Sequence, residues 1–206
     1  MKNKFSISPN RLRLSLLCGL LFAIFASFAH FNVACDDLRT NVLRLHIIAN
    51  SDSESDQALK LKIRDSILKN SGEMFYETEN VEEAVAVASK SLDRIEAIAN
   101  KVIAESGFDY TAKAQICDGY FETREYDDFT LPAGVYKSLT VTVGEGDGKN
   151  WWCVIFPEVC LPAASDASLT DSVTAETAHF AEGAQRYQMR FWAVEMYEDI
   201  KNFFQK

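Results

Sequence analysis

Apolar and polar residues alternate along Val42–Ala49. Leu43, Leu45, Ile47 and Ala49 share one face, and Val42, Arg44, His46 and Ile48 the other, the two-residue period of a β-strand. Asn50-Ser51-Asp52 breaks the strand, and Ser53 or Ser55 then opens a helix whose first turn holds Asp56, an acid suited to the helix dipole. Leu59, Ile63 and Ile67, with Leu68 beside them, make that helix amphipathic through Lys69, and Gly72 is expected to end it. Asn80 and Glu83 have the spacing of a capping box. Val85, Ala88, Leu92, Ile95, Ala99 and Val102 continue as a single helix of about 25 residues, stopped by a left-handed cap at Gly107. Its seam is rich in alanine and short for a coiled coil, so packing on the domain's own sheet is expected.

Alternation returns in Tyr110–Cys117, Tyr136–Val143 and Trp151–Phe156, with an acidic, aromatic stretch from Gly119 to Asp128 read as a short strand or irregular loop. The glycine-rich connection Gly144–Asn150 is expected to make the last two strands an antiparallel hairpin. Adjacent strand residues point to opposite faces, so Trp151 and Trp152 put one indole on each side of the sheet. That predicts a sheet covered on both faces, or one whose second face receives a partner. Tyr187–Phe204 closes the chain as a helix with Met189, Trp192, Met196, Ile200 and Phe203 in one stripe, a composition that docks. The expectation is an α+β fold: a small, largely antiparallel sheet packed against two mid-chain helices and a C-terminal helix, preceded by an export segment.

That segment occupies residues 1–35. Lys2, Lys4, Arg11 and Arg13 precede an uncharged apolar run from Leu14 to Ala29, the pattern of a signal peptide. Extended to Ala34, the run reaches the ~20 residues of a membrane span, so cleaved signal and retained anchor both stand. Ser27-Phe28-Ala29 offers a cleavage site and Asn32-Val33-Ala34 a poorer one, while Asn32 argues against lipidation of Cys35. Residues 36–206 form one extracytoplasmic domain, with a Ser/Thr/Ala-rich flexible excursion near 163–183.

The chain carries a formal charge of −9, and its first 35 residues hold four basic residues and no acid, so the exported part carries −13. Such a body lacks the basic footprint of a nucleic-acid binder and does not suit an anionic membrane surface, leaving contact with membrane to the N-terminal segment. Outside the cytoplasm thiols oxidise. Cys153 and Cys160 are candidates for a disulfide across Pro157; the alternatives are two buried free thiols, or pairing with Cys117.

Gly144-Glu145-Gly146-Asp147-Gly148-Lys149 lacks the hydroxyl and the following helix of a phosphate loop. Glu145 and Asp147 are too few oxygens for calcium. His30, His46 and His179 do not cluster, and the chain has no Cys-x-x-Cys pair, so neither metal nor cofactor is expected. One enzymatic reading survives: an extracytoplasmic cysteine hydrolase with Cys153 as nucleophile, His46 as base and Asp52 as orienter. Against it stands a polar constellation suited to binding. Arg44, His46, Asn50 and Asp52 lie along and after the first strand, and Lys149, Asn150, Trp151 and Trp152 lie at the glycine-rich turn. Exposed tryptophan with arginine is the composition of an interface hot spot; the alternative is a hydrogen-bonded edge with a solvated turn.

Four stretches, Leu43–Leu68, Leu131–Trp152, Gly144–Cys160 and Phe191–Ile200, closely resemble the stage II sporulation protein R family. The resemblance runs from about Asn41 onward, apart from Ala163–Gly183. It implies a secreted intercellular signal of an endospore former, made in the forespore and crossing its membrane into the space between the two cells. There it would activate a membrane-embedded aspartic peptidase of the mother cell that processes a pro-sigma factor. It implies no catalytic residue, so the chain is read as a non-enzymatic signal, with the cysteine hydrolase and a membrane-anchored scaffold as alternatives.

Overall fold

A computed structural model describes residues 8–75, 78–126, 129–157, 177 and 194–198, with the backbone alone for 71–73. The element order is α1 (Pro9–Thr40), β1 (Leu43–Ile48), α2 (Glu54–Phe75), α3 (Val81–Lys90), α4 (Leu92–Glu105), β2 (Ala112–Phe121), β3 (Arg124–Glu125), β4 (Thr130–Leu131), β5 (Gly134–Val143) and β6 (Asn150–Phe156). The fold is α+β. Four strands form a mixed sheet in the order β2-β5-β1-β6, and β3 and β4 form a separate two-stranded ribbon. β2 with β5 and β1 with β6 run antiparallel, while β1 with β5 runs parallel.

The expected hairpin between Tyr136–Val143 and Trp151–Phe156 does not form, because β1 lies between β5 and β6 and pairs with both. β1 is the strand least able to tolerate an edge: Leu43, Arg44, Leu45 and Ile47 are all fully buried. A two-residue turn would force its flanking strands to pair directly. The connection through 144–149 is long enough to step over one strand, about 10 Å at the usual spacing.

Helices cover one face. Leu45, Ile47, Leu139, Val141, Cys153 and Ile155 project from the sheet onto Leu59, Ile63 and Ile67 of α2, Ala84 and Ala88 of α3, and Ile95, Ala99 and Ile103 of α4. The single long helix expected after Asn80 is broken at Ser91, whose φ/ψ of −102°/4° ends α3 and precedes α4. Ala88, Ile95 and Ala99 keep helical spacing through the break, so periodicity alone does not register it. Helix α2 runs through Gly72 instead of stopping there. Burial of Phe75, at 2% exposure, outweighs the roughly 1 kcal/mol that an interior glycine costs. The Asn80 cap forms, with its Oδ1 accepting from the Glu83 amide, while the Glu83 carboxylate accepts from the Glu79 amide. Gly107 takes the left-handed conformation at φ +82°.

The other face is half covered. Leu38 and Val42, Phe129 and Leu131 pack on Phe121, Tyr136 and Val154. Trp151 lies on the helix side and Trp152 on this second side, so the two indoles straddle the sheet.

Helix α1 has an exposed apolar N-terminal part, long and apolar enough to cross a membrane by length and composition. Its C-terminal end belongs to the folded body. Phe31 and Cys35 are buried with Val194 of the helical turn at 194–198. The Arg39 side chain donates to the Ala133 carbonyl and pairs with Asp36 at 2.8 Å and Glu198 at 3.5 Å. Apart from Thr177, which is buried, the 163–183 excursion lies outside the described residues, as does most of the helix expected over Tyr187–Phe204.

Candidate functional site

The loop that follows β1 and the glycine-rich connection are one hydrogen-bonded unit. Asn50 Oδ1 accepts from the Glu145 amide at 3.0 Å, and the Asn50 carbonyl accepts from the Asp147 amide. Asp52 Oδ1 accepts from the Lys149 amide at 2.7 Å, and the buried Lys60 ammonium donates to the Lys149 carbonyl at 2.9 Å. Gly144 and Gly146 have φ of +57° and +71°, where a side chain is strained. Gly148 is constrained by space: a Cβ there would overlap the Ser51 carbonyl. Gly148→Ala should therefore cost about 3 kcal/mol, read as a lower urea midpoint at unchanged m-value.

Asp56 anchors the unit from below. Its carboxylate accepts from Asn50 Nδ2 at 2.9 Å, Ser51 Oγ at 2.6 Å and the Tyr110 hydroxyl, while its amide donates to Ser53 Oγ. Burial pushes this carboxyl up, but the donors from Ser51, Tyr110, Asn50 and Ser53 outweigh it and hold the pKa at about 2. Burial and the Asp56 bond push the Tyr110 hydroxyl up in turn. Asn50 and Asp52 are thus engaged in holding the loop.

The unit positions the second face of the sheet. His46 and Trp152 are register partners across β1 and β6. Their rings stack at 3.8 Å, and Trp152 meets Phe121 edge-on at 4.5 Å. The His46 Nε2 hydrogen goes to Asn150 Oδ1 at 3.0 Å, since a carbonyl oxygen only accepts. Burial, opposed by that bond, lowers the His46 pKa below its ordinary 6.5, so the ring is neutral at pH 7. Beside the stack opens a groove of about 530 Å³ lined by Tyr120, Phe121, Glu122, Arg124, Lys149, Asn150 and Trp152.

Behind the Phe121 wall lies Arg44, fully buried. Its guanidinium is 4.1 Å from the Phe121 ring centroid and 5.0 Å from that of Tyr136, and Nη2 donates to the Tyr126 hydroxyl at 2.9 Å. Its Nε and Nη1 have no partner among the described residues.

The structure brings His46, Lys149, Asn150 and Trp152 together around this groove and leaves Arg44 underneath. Trp151 lies apart on the helix side, where the Arg64 guanidinium sits 4.3 Å from its ring. The residues missed by the sequence reading are Tyr120, Phe121, Glu122 and Arg124. All fall in the acidic, aromatic stretch after Gly119, where alternation continued to Phe121 within β2.

The hydrolase arrangement is not assembled. Cys153 pairs with Leu45 and projects onto the helix face, whereas His46 projects from the opposite face, and Asp52 is engaged with the Lys149 amide. Cys153 is also disulfide-bonded; Cys160, its sequence-predicted partner, lies outside the described residues. Cys18, Cys35 and Cys117 are free thiols. Cys117 shares the His46 face, with its sulfur 3.3 Å from Thr140 Oγ1 and a strand away from the imidazole. Among the described residues no group of three His, Cys, Asp or Glu side chains could hold a metal ion.

The family model described as Stage II sporulation protein R (spore_II_R) matches residues 39–166. A curated relative, Stage II sporulation protein R of Bacillus subtilis (strain 168), is 39% identical over 118 residues, which cover 57% of this chain and 53% of the relative. The chain thus matches about half the length of that relative. No solved structure matches the chain.

Proposed function

Because the chain belongs to the stage II sporulation protein R family, we propose that it is a non-catalytic signal of sporulation. It is exported from the forespore by α1 and activates a membrane-embedded aspartic peptidase of the mother cell by contact, leading to processing of a pro-sigma factor. The observation that carries the contact reading is the second sheet face. It presents a stacked His46–Trp152 pair beside a groove with exposed Arg124, Lys149 and Asn150 at its rim. Aromatic anchors beside a cation are what binding surfaces use. A contact signal works only by binding the active form of its target better than the inactive one.

The test is co-expression of the full chain with the peptidase and its pro-sigma substrate in a bacterium that does not sporulate. Processing should appear only when the chain is exported. Equal processing by a variant with charged residues placed in Leu14–Ala29, which stays inside, would sink the reading. In the same assay Trp152→Ala should cut processing about 30-fold, the effect of losing roughly 2 kcal/mol of contact. It should lower the melting temperature only by a few degrees, because Trp152 is half exposed at the sheet edge.

A further inference from the structure

Resting on that contact reading, we propose that the groove beside Trp152 is a carboxylate-recognition site. Its occupant is an acidic residue of the protein partner with an aromatic or aliphatic neighbour.

The charge of the groove departs from that of the body around it. The part after residue 35 carries −13, yet among the described residues that line it the groove sets Arg124 and Lys149 against one acid, Glu122. Beneath its Phe121 wall is the buried Arg44, and among the described residues the ionisable groups that act on it are Tyr126, Tyr136 and Arg124, with no carboxylate among them. A guanidinium stays charged in proteins, and a buried charge is poorly screened. Arg44 therefore adds a positive potential behind the groove that no described residue neutralises, and its Nε and Nη1 have no partner among the described residues. Asn150 accepts from His46 through Oδ1, which leaves its amide nitrogen as a donor at the rim.

The remaining lining selects the rest of the ligand. Trp152, Phe121 and Tyr120 are aromatic, and at about 530 Å³ the groove holds more than one carboxylate side chain. The modest positive excess at the rim suits a single carboxylate. A polyphosphate chain or an anionic bilayer would bring many charges against the acidic body outside the groove.

The probes are two peptides, acetyl-Ala-Phe-Glu-Phe-Ala-amide and its glutamine twin, titrated into the full-length protein in nanodiscs of zwitterionic lipid. The glutamate peptide should bind about tenfold more tightly than the glutamine one. The double variant Arg124→Glu/Lys149→Glu should erase that preference while leaving the melting temperature unchanged, since both side chains are exposed. Equal binding of the twins, no binding of either at millimolar concentration, or a preference that survives the double variant would overturn the proposal. So would binding that appears only with phosphatidylglycerol vesicles. In the co-expression assay the double variant should lose processing at least tenfold. If it keeps full activity while Trp152→Ala is inactive, the carboxylate site fails and the contact face stands. If Trp152→Ala is also fully active, the contact face fails.

Discussion

Asp56→Ala should lower the melting temperature of the protein by roughly 8–16 °C. The side chain is 6% exposed and accepts from three side chains drawn from two separate segments: Asn50 and Ser51 after β1, and Tyr110 before β2. Removing the carboxylate leaves those donors without their acceptor. Breaking a buried charged network of this kind costs about 4 kcal/mol, and a domain of this size loses about 2–4 °C per kcal/mol. The glycine-rich connection should loosen with it, because Asn50 both donates to Asp56 and accepts from the Glu145 amide. Thermal unfolding by circular dichroism and amide exchange at 144–149 would measure both effects. An unchanged melt would mean that Asp56 does not organise this loop.

The same residue predicts a pH signature. Its folded pKa is about 2, below the ordinary 3.8. A depressed carboxyl contributes stability that is fully present above about pH 4 and lost as pH falls through 2. Urea midpoints of the native protein should therefore drop across pH 4 to 2 more steeply than those of Asp56→Asn, which cannot titrate there. Parallel curves would contradict the assignment.

Removing the chain up to Cys35 should cost about 3–5 kcal/mol, whereas removing it up to Ala29, which takes the partly buried Phe28 but leaves Phe31 and Cys35 in place, should cost much less. Phe31 is 1% exposed and Cys35 is fully buried, both against Val194, and losing a buried aromatic ring leaves a cavity of that cost. The exposed apolar residues before them, such as Leu21, Phe22 and Phe25, contribute nothing to the fold's interior. Chains beginning at His30 and at Asp36 should thus melt roughly 10 °C apart. If the export segment is cut, N-terminal sequencing of the released protein should place the cut before Phe31, consistent with Ala29 and inconsistent with Ala34. Equal melts for the two chains would detach α1 from the folded body.

Much of the fold was legible because it obeys local rules. Leu43, Leu45 and Ile47 alternate as a strand must, Leu59, Ile63 and Ile67 recur as a helix must, and Asn80 caps as its spacing says. The failures share a cause. The break at Ser91, the passage of α2 through Gly72 and the insertion of β1 between β5 and β6 are each decided by what packs against the segment. Residues distant in sequence supply that packing. The candidate site divided the same way. Trp152, Lys149 and Asn150 stood out by composition, while Phe121 and Arg124 became part of a groove only when β2 and β6 were placed in one sheet.

Sequence alone established the class of fold, the acidic body, the apolar leader, the family resemblance and the opposite facing of Trp151 and Trp152, because each depends on residue type and nearest spacing. Tertiary structure alone decided that Cys153 and His46 lie on opposite sides of the sheet, that Asn50 and Asp52 hold a loop, and that Arg44 lies buried behind an aromatic wall. Strand order and burial arise from contacts between distant segments, and no local period encodes them.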